Sequence, residues 1–285
     1  VRSGLGFEHC DVAIVTNVAA DHLGLKDIHT LEELAHVKST VPRSVRRDGY
    51  AILNADDELV MAMRKQCDCK IALFSLDENN RLIRQHCKLG GLAAIYENGF
   101  VTISKGEWKL RIEKAVNIPL TYGGKAVFNI QNVLPAVLAA YVQGVKVEEL
   151  REALATFVPS AAQTPGRLNL FQFKKFQVVV DYAHNPHGFE ALGKFLSKIP
   201  DSPKVGVIAG VGDRRDEDTV NLGRLSAQMF DEIIIRQDRN LRGKSDDEII
   251  ALMVKGIKEV DPDKKFTIIK KEDEAIRHAI STAKP

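Results

Sequence analysis

The run Val178-Val179-Val180-Asp181-Tyr182-Ala183-His184-Asn185-Pro186 ends an apolar strand on an acid and follows it with a short polar turn. Asn185 suits a helix N-cap and Pro186 the first helical position. Asp181 and His184 are thereby delivered to the carboxyl edge of a sheet, where open α/β folds bind ligands. Lys38 is a second candidate. On a predicted helix over 31–41 it shares one face with Leu31, Leu34 and Ala35. Such a lysine either snorkels to water or faces a cleft, where its pKa can shift or its amine can be modified. Asp21-His22 sits in the loop after the first predicted strand. Alone it reads as a loop hydrogen bond; with Lys38 it could line the carboxyl end of one sheet.

Asn129 and Asn132 stand three apart near a helix start. They read as N-caps or as amides that recognise an adenine edge. Gly210-Val211-Gly212-Asp213-Arg214-Arg215 follows a predicted strand like a dinucleotide fingerprint, but Arg215 takes the third glycine position, so NAD binding is rejected. Asp238-Arg239-Asn240-Leu241-Arg242-Gly243 follows the next strand. The two loops bring Arg214, Arg215, Arg239 and Arg242 to one topological edge, either to clamp a carboxylate or as solvated charge. No G-x-x-x-x-G-K-[ST] occurs, so these residues hold no P-loop for a triphosphate.

The elements that must position these groups alternate. Strands are predicted over 11–16, 50–53 and 71–74, with helices over 31–41 and 57–65 between them, which gives a parallel sheet. Thr30 and Glu33 form a capping-box pattern. Segments 93–96 and 100–104 flank Asn98-Gly99, a hairpin signal, and 108–112 alternates like one more strand. Helices follow over 130–143 and 147–157, with Pro135 kinking the first or marking its start. The Pro/Gly-containing stretch 159–166 divides a first domain, 1–158, from a second, 159–285. The second opens with strands over 168–173 and 177–180. It then alternates helix 187–199, strand 204–208, helix 218–229, strand 232–235, helix 246–258, strand 266–269 and helix 272–283, a doubly wound pattern.

Length and composition agree with this reading. The chain has 285 residues, 45% hydrophobic and 27% charged, enough for two ordinary domains. A net charge of +2 argues against nucleic acid or an anionic membrane as partner. No spanning apolar run and no signal peptide are visible, and the four cysteines lack zinc spacing, so reduced thiols in the cytoplasm are expected. Val1 enters almost directly into a strand and the last residues stop just after a helix, so both ends are expected to be cut from a longer chain.

Thr16-Asn17-Val18-Ala19-Ala20-Asp21-His22-Leu23-Gly24, Lys38, Phe128-Asn129-Ile130-Gln131-Asn132, Gly166-Arg167 and Asp181-Tyr182-Ala183-His184-Asn185-Pro186 occur in an order that resembles the Mur ligase family, which includes folylpolyglutamate synthetase. The resemblance covers nearly the whole chain. It implies an α/β fold: part of the central domain, a parallel sheet with a small antiparallel addition, then a Rossmann-like C-terminal domain. The implied activity is ATP-dependent, ADP-forming amide synthesis through an acyl phosphate, with Mg2+. His22 would ligate magnesium. Lys38 would be the lysine that many members carbamylate. Asn129 and Asn132 would hold adenine. Arg167 and Asp181 would meet the ribose or phosphate side of the nucleotide, and His184 would help close over the acyl phosphate.

Ser3-Gly4-Leu5-Gly6-Phe7, Asp21-His22-Leu23-Gly24 and the 238–243 loop resemble most a polymer-forming branch of the family. There the substrates would be arginine and the β-carboxylates of an aspartate-rich polymer primer. Asp213, Asp216 or Asp238 would meet the guanidinium, while one of Arg214, Arg215, Arg239 and Arg242 would hold the carboxylate. The full-length protein is expected to be a homo-oligomer. The family's P-loop and second acidic metal ligand would precede Val1, and the last strand of the C-terminal domain would follow Pro285. These residues alone are therefore expected to be inactive. The competing readings are a cell-wall or folylpolyglutamate-type ligase and a non-catalytic binding module of the same fold.

Overall fold

A computed structural model describes residues 4–21, 23–24, 27–199, 202–238 and 243–283. The chain forms two compact units: Val1–Ala19 with His29–Val158, and Ala20–Ile28 with Pro159–Pro285. The sequence division left 20–28 in the first domain; the contacts of this segment lie in the second unit.

The first unit is built on a six-stranded sheet. Its strands are β1 (Cys10–Val15), β2 (Val45–Asn54), β3 (Lys70–Ser75), β4 (Leu92–Glu97), β5 (Phe100–Lys105) and β6 (Trp108–Lys114), and they lie in sequence order. The first four run parallel; β5 and β6 add antiparallel. Helix α1 (Leu31–Arg43) starts at the predicted capping box, with Thr30 Oγ1 accepting from Glu33 N and the Glu33 carboxylate accepting from Thr30 N. The β4–β5 turn has φ of 50° at Asn98 and 80° at Gly99, the left-handed pair that a two-residue hairpin needs.

The other helices of this unit are α2 (Glu58–Met63), α3 (Arg81–Lys88), α4 (Val127–Val142) and α5 (Val147–Thr156). Helix α4 buries Ile130, Leu134 and Leu138 completely and joins the core with Ile52, Phe74, Ala94 and Ile103 of the sheet. It begins three residues earlier than predicted and runs through Pro135 without a break. Burial on the sheet outweighs the lost N–H bond. Strand β2 begins at Val45, not Tyr50, because its polar first half pairs with Cys10 through a register shift. The sequence reading contained no α3; only Ile83 and Cys87 of its eight residues are buried, too few for an apolar stripe to stand out.

The second unit holds a parallel sheet in the order β11 (Phe266–Ile268), β10 (Glu232–Ile235), β9 (Val205–Ile208) and a separate antiparallel pair, β7 (Asn169–Gln172) with β8 (Gln177–Val180). Helices α6 (Pro186–Leu196), α7 (Asp216–Met229), α8 (Asp246–Val260) and α9 (Glu272–Thr282) alternate with the strands. Its core gathers Phe189, Leu222, Ile233, Ile235, Met253 and Ile257. Helices α7 and α8 touch backbone to backbone: a Cβ on Gly223 would lie 2.2 Å from Met253 O, and one on Gly256 would lie 1.9 Å from Val220 O. The α/β fold of the sequence reading is present, but its single doubly wound sheet is divided. A cavity of about 1130 Å3 separates β8 from β9, with Leu192 and Leu196 of α6 and Ile276 and Ile280 of α9 among its walls.

Candidate functional site

In the first unit the polar groups collect past the carboxyl ends of β1 and β2. Lys38 does not run out to solvent. It is half-buried, and its Nζ donates to Asn17 O at 3.0 Å. The neighbouring peptides of the same loop are held as well. Asn54 Nδ2 donates to Thr16 O at 2.8 Å, and Val18 N donates to Asp57 Oδ2 at 2.7 Å. Asp57 also caps α2 by accepting from Val60 N at 3.0 Å. Asn54 and Asp57 were missed in the sequence, although Asn54-Ala55-Asp56-Asp57 follows a strand just as the chosen motifs do. Asn and Asp are common at turns and helix starts, so their types alone did not mark a site.

Helix α4 carries Asn129 and Asn132. Neither caps it, since its N-cap is Ala126 without a side-chain bond, so the capping reading is corrected. Asn129 is 9% exposed and its Nδ2 donates to Leu120 O at 2.8 Å, which commits one amide donor to the fold. Asn132 is exposed one turn further on.

The second unit assembles Asp21, Asp181, His184, Asp213 and Arg214. Asp181 uses both oxygens on backbone: Oδ2 accepts from Leu168 N and Oδ1 from Ala183 N, each at 2.8 Å. It thereby holds Leu168, whose φ of 49° is left-handed. Arg167 is exposed and stacks its guanidinium on the Tyr182 ring at 5.0 Å. His184 Nδ1 lies 3.0 Å from Tyr182 O, so the proton sits on Nδ1 and Nε2 points toward Asp21 Oδ2 at 3.8 Å.

Arg214 is nearly buried, 3.0 Å from Asp21 Oδ1 and 3.5 Å from Asp213 Oδ1. Arg215 grips Asp218 through two bonds at 2.9 and 2.8 Å, and that carboxylate raises its pKa further. Asp216 pairs with Lys244 at 3.2 Å. The loop charges are thus not a free solvated cluster: Arg214, Arg215 and Asp216 each have a protein partner. Asp238 lines the cavity between β8 and β9. His22, Arg239 and Arg242 lie outside the described residues.

Among the described residues no three His, Cys, Asp or Glu side chains gather to hold a metal ion. Cys67, Cys69 and Cys87 are not primed for chemistry. Burial, helped by Cys69 nearby, pushes Cys67 up to about 11, and burial raises Cys69 and Cys87. No helix among the described residues is long and apolar enough to cross a membrane.

Comparison with known proteins identifies the domains. Residues 5–140 match the Mur ligase middle domain, and residues 166–285 match the Mur ligase, glutamate ligase domain. The chain is 49% identical over 283 residues to a cyanophycin synthetase of Trichormus variabilis, covering 99% of this chain and 31% of that protein. The chain thus spans about a third of the length of this relative. A UDP-N-acetylmuramoyl-L-alanyl-D-glutamate--2,6-diaminopimelate ligase of Bacillus cereus is 28% identical, over 96% of this chain and 52% of its own length. Among solved structures, Escherichia coli FolC in complex with ADP superposes with a TM-score of 0.67 at 17% identity, over 96% of this chain and 56% of that one. MurF from Acinetobacter baumannii gives 0.66 at 20% identity, over 95% and 53%. The chain carries the middle and the glutamate ligase domains of the Mur ligases, and it belongs to that family.

Proposed function

We propose that this chain is part of an ATP-dependent, ADP-forming amide ligase that joins arginine to the β-carboxylate of an aspartate in a polymer backbone. The observation that carries the reading is Lys38, a lysine turned inward onto Asn17 O at the carboxyl end of β1. The likeness to cyanophycin synthetase supports the choice of substrates.

The β-carboxylate attacks the γ-phosphorus of ATP, ADP leaves, and an acyl phosphate forms. The α-amine of arginine then attacks the acyl carbon, loses a proton, and expels phosphate. In this reading Lys38, as an ammonium or as its carbamate, supplies a fixed charge beside the transferring phosphoryl group. Asn129 and Asn132 hold the adenine edge. Asp181 keeps the 181–186 turn in place, while Arg167 and Asp181 face the nucleotide. His184 presents Nε2 to the reacting groups, its ring fixed by the Nδ1 bond to Tyr182 O. Asp213, Asp216 and Asp238 offer carboxylates to the substrate guanidinium. One of Arg214, Arg215, Arg239 and Arg242 holds the substrate's own carboxylate; Arg214 and Arg215 already pair with protein carboxylates. Mg2+ would be held by His22 with a carbamylated Lys38, and when bound it would offset phosphate charge.

The test is ATP-dependent amide formation by the full-length protein with aspartate-rich primers. Arginine should be incorporated in preference to lysine and to the diaminopimelate or alanyl substrates of cell-wall ligases. Incorporation of diaminopimelate instead would favour the second reading, a cell-wall ligase, which the similarity to the Bacillus cereus enzyme supports. ATP binding without any amide product would leave a binding module.

A further inference from the structure

Two consecutive peptide groups of the loop after β1 are held at three atoms by side chains from three different elements. Thr16 O takes Asn54 Nδ2 from the end of β2, Asn17 O takes Lys38 Nζ from α1, and Val18 N gives its proton to Asp57 at the start of α2. Asn54 is 2% exposed, and its Oδ1 also accepts from Asp56 N at 2.9 Å. Asn54 and Asp57 therefore each hold two places at once, the β2–α2 turn and the loop that rests on Lys38.

We infer that Asn54 and Asp57 are positioning residues for Lys38: they fix the 16–18 main chain against which the ammonium is seated. The physical case is one of direction. A lysine Nζ on four rotatable bonds is located only as well as its acceptor is. The Asn17 carbonyl belongs to the same planar peptide as the Val18 N–H, so Asp57 holds that peptide from its other end while Asn54 holds the peptide before it. Misplacing a catalytic group by about 1 Å can cost about a hundredfold in rate. The inference rests on the proposed role of Lys38, and its test is chosen to separate the two.

Near-isosteric variants divide the two duties of each residue. Asp57→Asn keeps an oxygen to cap α2, since Asn is as good an N-cap as Asp, but turns an amide donor toward Val18 N–H. Asn54→Asp keeps the acceptor for Asp56 N and sets a carboxylate oxygen against Thr16 O. In the full-length protein both should lower kcat by about tenfold or more. KM for the amino acid should stay within about twofold, while the unfolding midpoint should fall by several degrees, since each variant opposes a buried polar contact. Glu58→Gln, on the exposed side of the same turn, is the control and should leave all three unchanged.

Hydrogen exchange at the Val18 amide gives a readout independent of catalysis; it should quicken about fivefold or more in Asp57→Asn. Unchanged kcat in both variants, or unchanged Val18 exchange, overturns the inference. A fall in kcat that matches the loss of folded protein at the assay temperature overturns it too, because the residues would then be structural only. If the wild-type protein forms no amide, the functional reading fails, and Val18 exchange alone decides whether the loop is held as described.

Discussion

In the proposed mechanism Lys38 is the residue on which the chemistry turns. Replacing it by Met keeps the aliphatic stem on the face of α1 and removes the charge. Amide formation by the full-length protein should fall at least about a hundredfold, as when one fixed electrostatic donor is lost, while the melting midpoint changes little. Asp181 predicts the opposite balance. Its two backbone bonds hold a left-handed Leu168, so Asp181→Ala should cost about 2 kcal/mol of stability, read by denaturant unfolding. Both residues were legible in the sequence because each breaks a local rule: a lysine on an apolar face, an acid ending an apolar strand. Asn54 and Asp57 break none. They satisfy the turn they sit in, and only the three-dimensional path of the β1 loop brings its peptides to them. Arg214 and Arg215 lay between these cases: their charge was visible, but the partners Asp21 and Asp218 were not assigned.

Elements whose pattern is periodic were readable, and those tied by tertiary contact were not. The α1 capping box and the Asn98-Gly99 hairpin follow from local chemistry alone. Helix α3 does not, and it carries a pH sensitivity of its own. Burial is the main cause that lowers the pKa of His86 from 6.5. Its Nε2 lies 3.2 Å from Leu92 O, at the start of β4. Because the folded state binds this proton less readily than the unfolded chain, stability from neutral His86 is complete above pH 6.5. It is then drawn down as pH falls toward the lower folded value. Unfolding of the wild-type chain should show that loss as pH falls below 6.5, and His86→Gln should flatten it. The α7–α8 contact predicts a steric result. Gly256→Ala gains helix propensity of about 1 kcal/mol. The added methyl meets Val220 O, however, so a net loss of about 2 kcal/mol is expected by calorimetry.

At the scale of the whole molecule, the two family domains explain why the motifs come in order along the chain. The 285 residues contain no P-loop motif, so by themselves they should form no amide even with ATP, arginine and primer present; product from this chain alone would contradict the proposed mechanism. The division between β8 and β9 has a separate consequence, for solubility. Among the described residues β8 pairs only with β7 and β9 only with β10, so each leaves one row of backbone donors and acceptors open along the same cavity. An unpaired edge is a template for any extended chain, including another copy's. Concentrated alone, this chain should therefore associate through strand addition, seen as a mass that grows with concentration in light scattering. A charge on that edge, as in Val180→Lys, should suppress it, much as native edge strands carry lysines to stay apart.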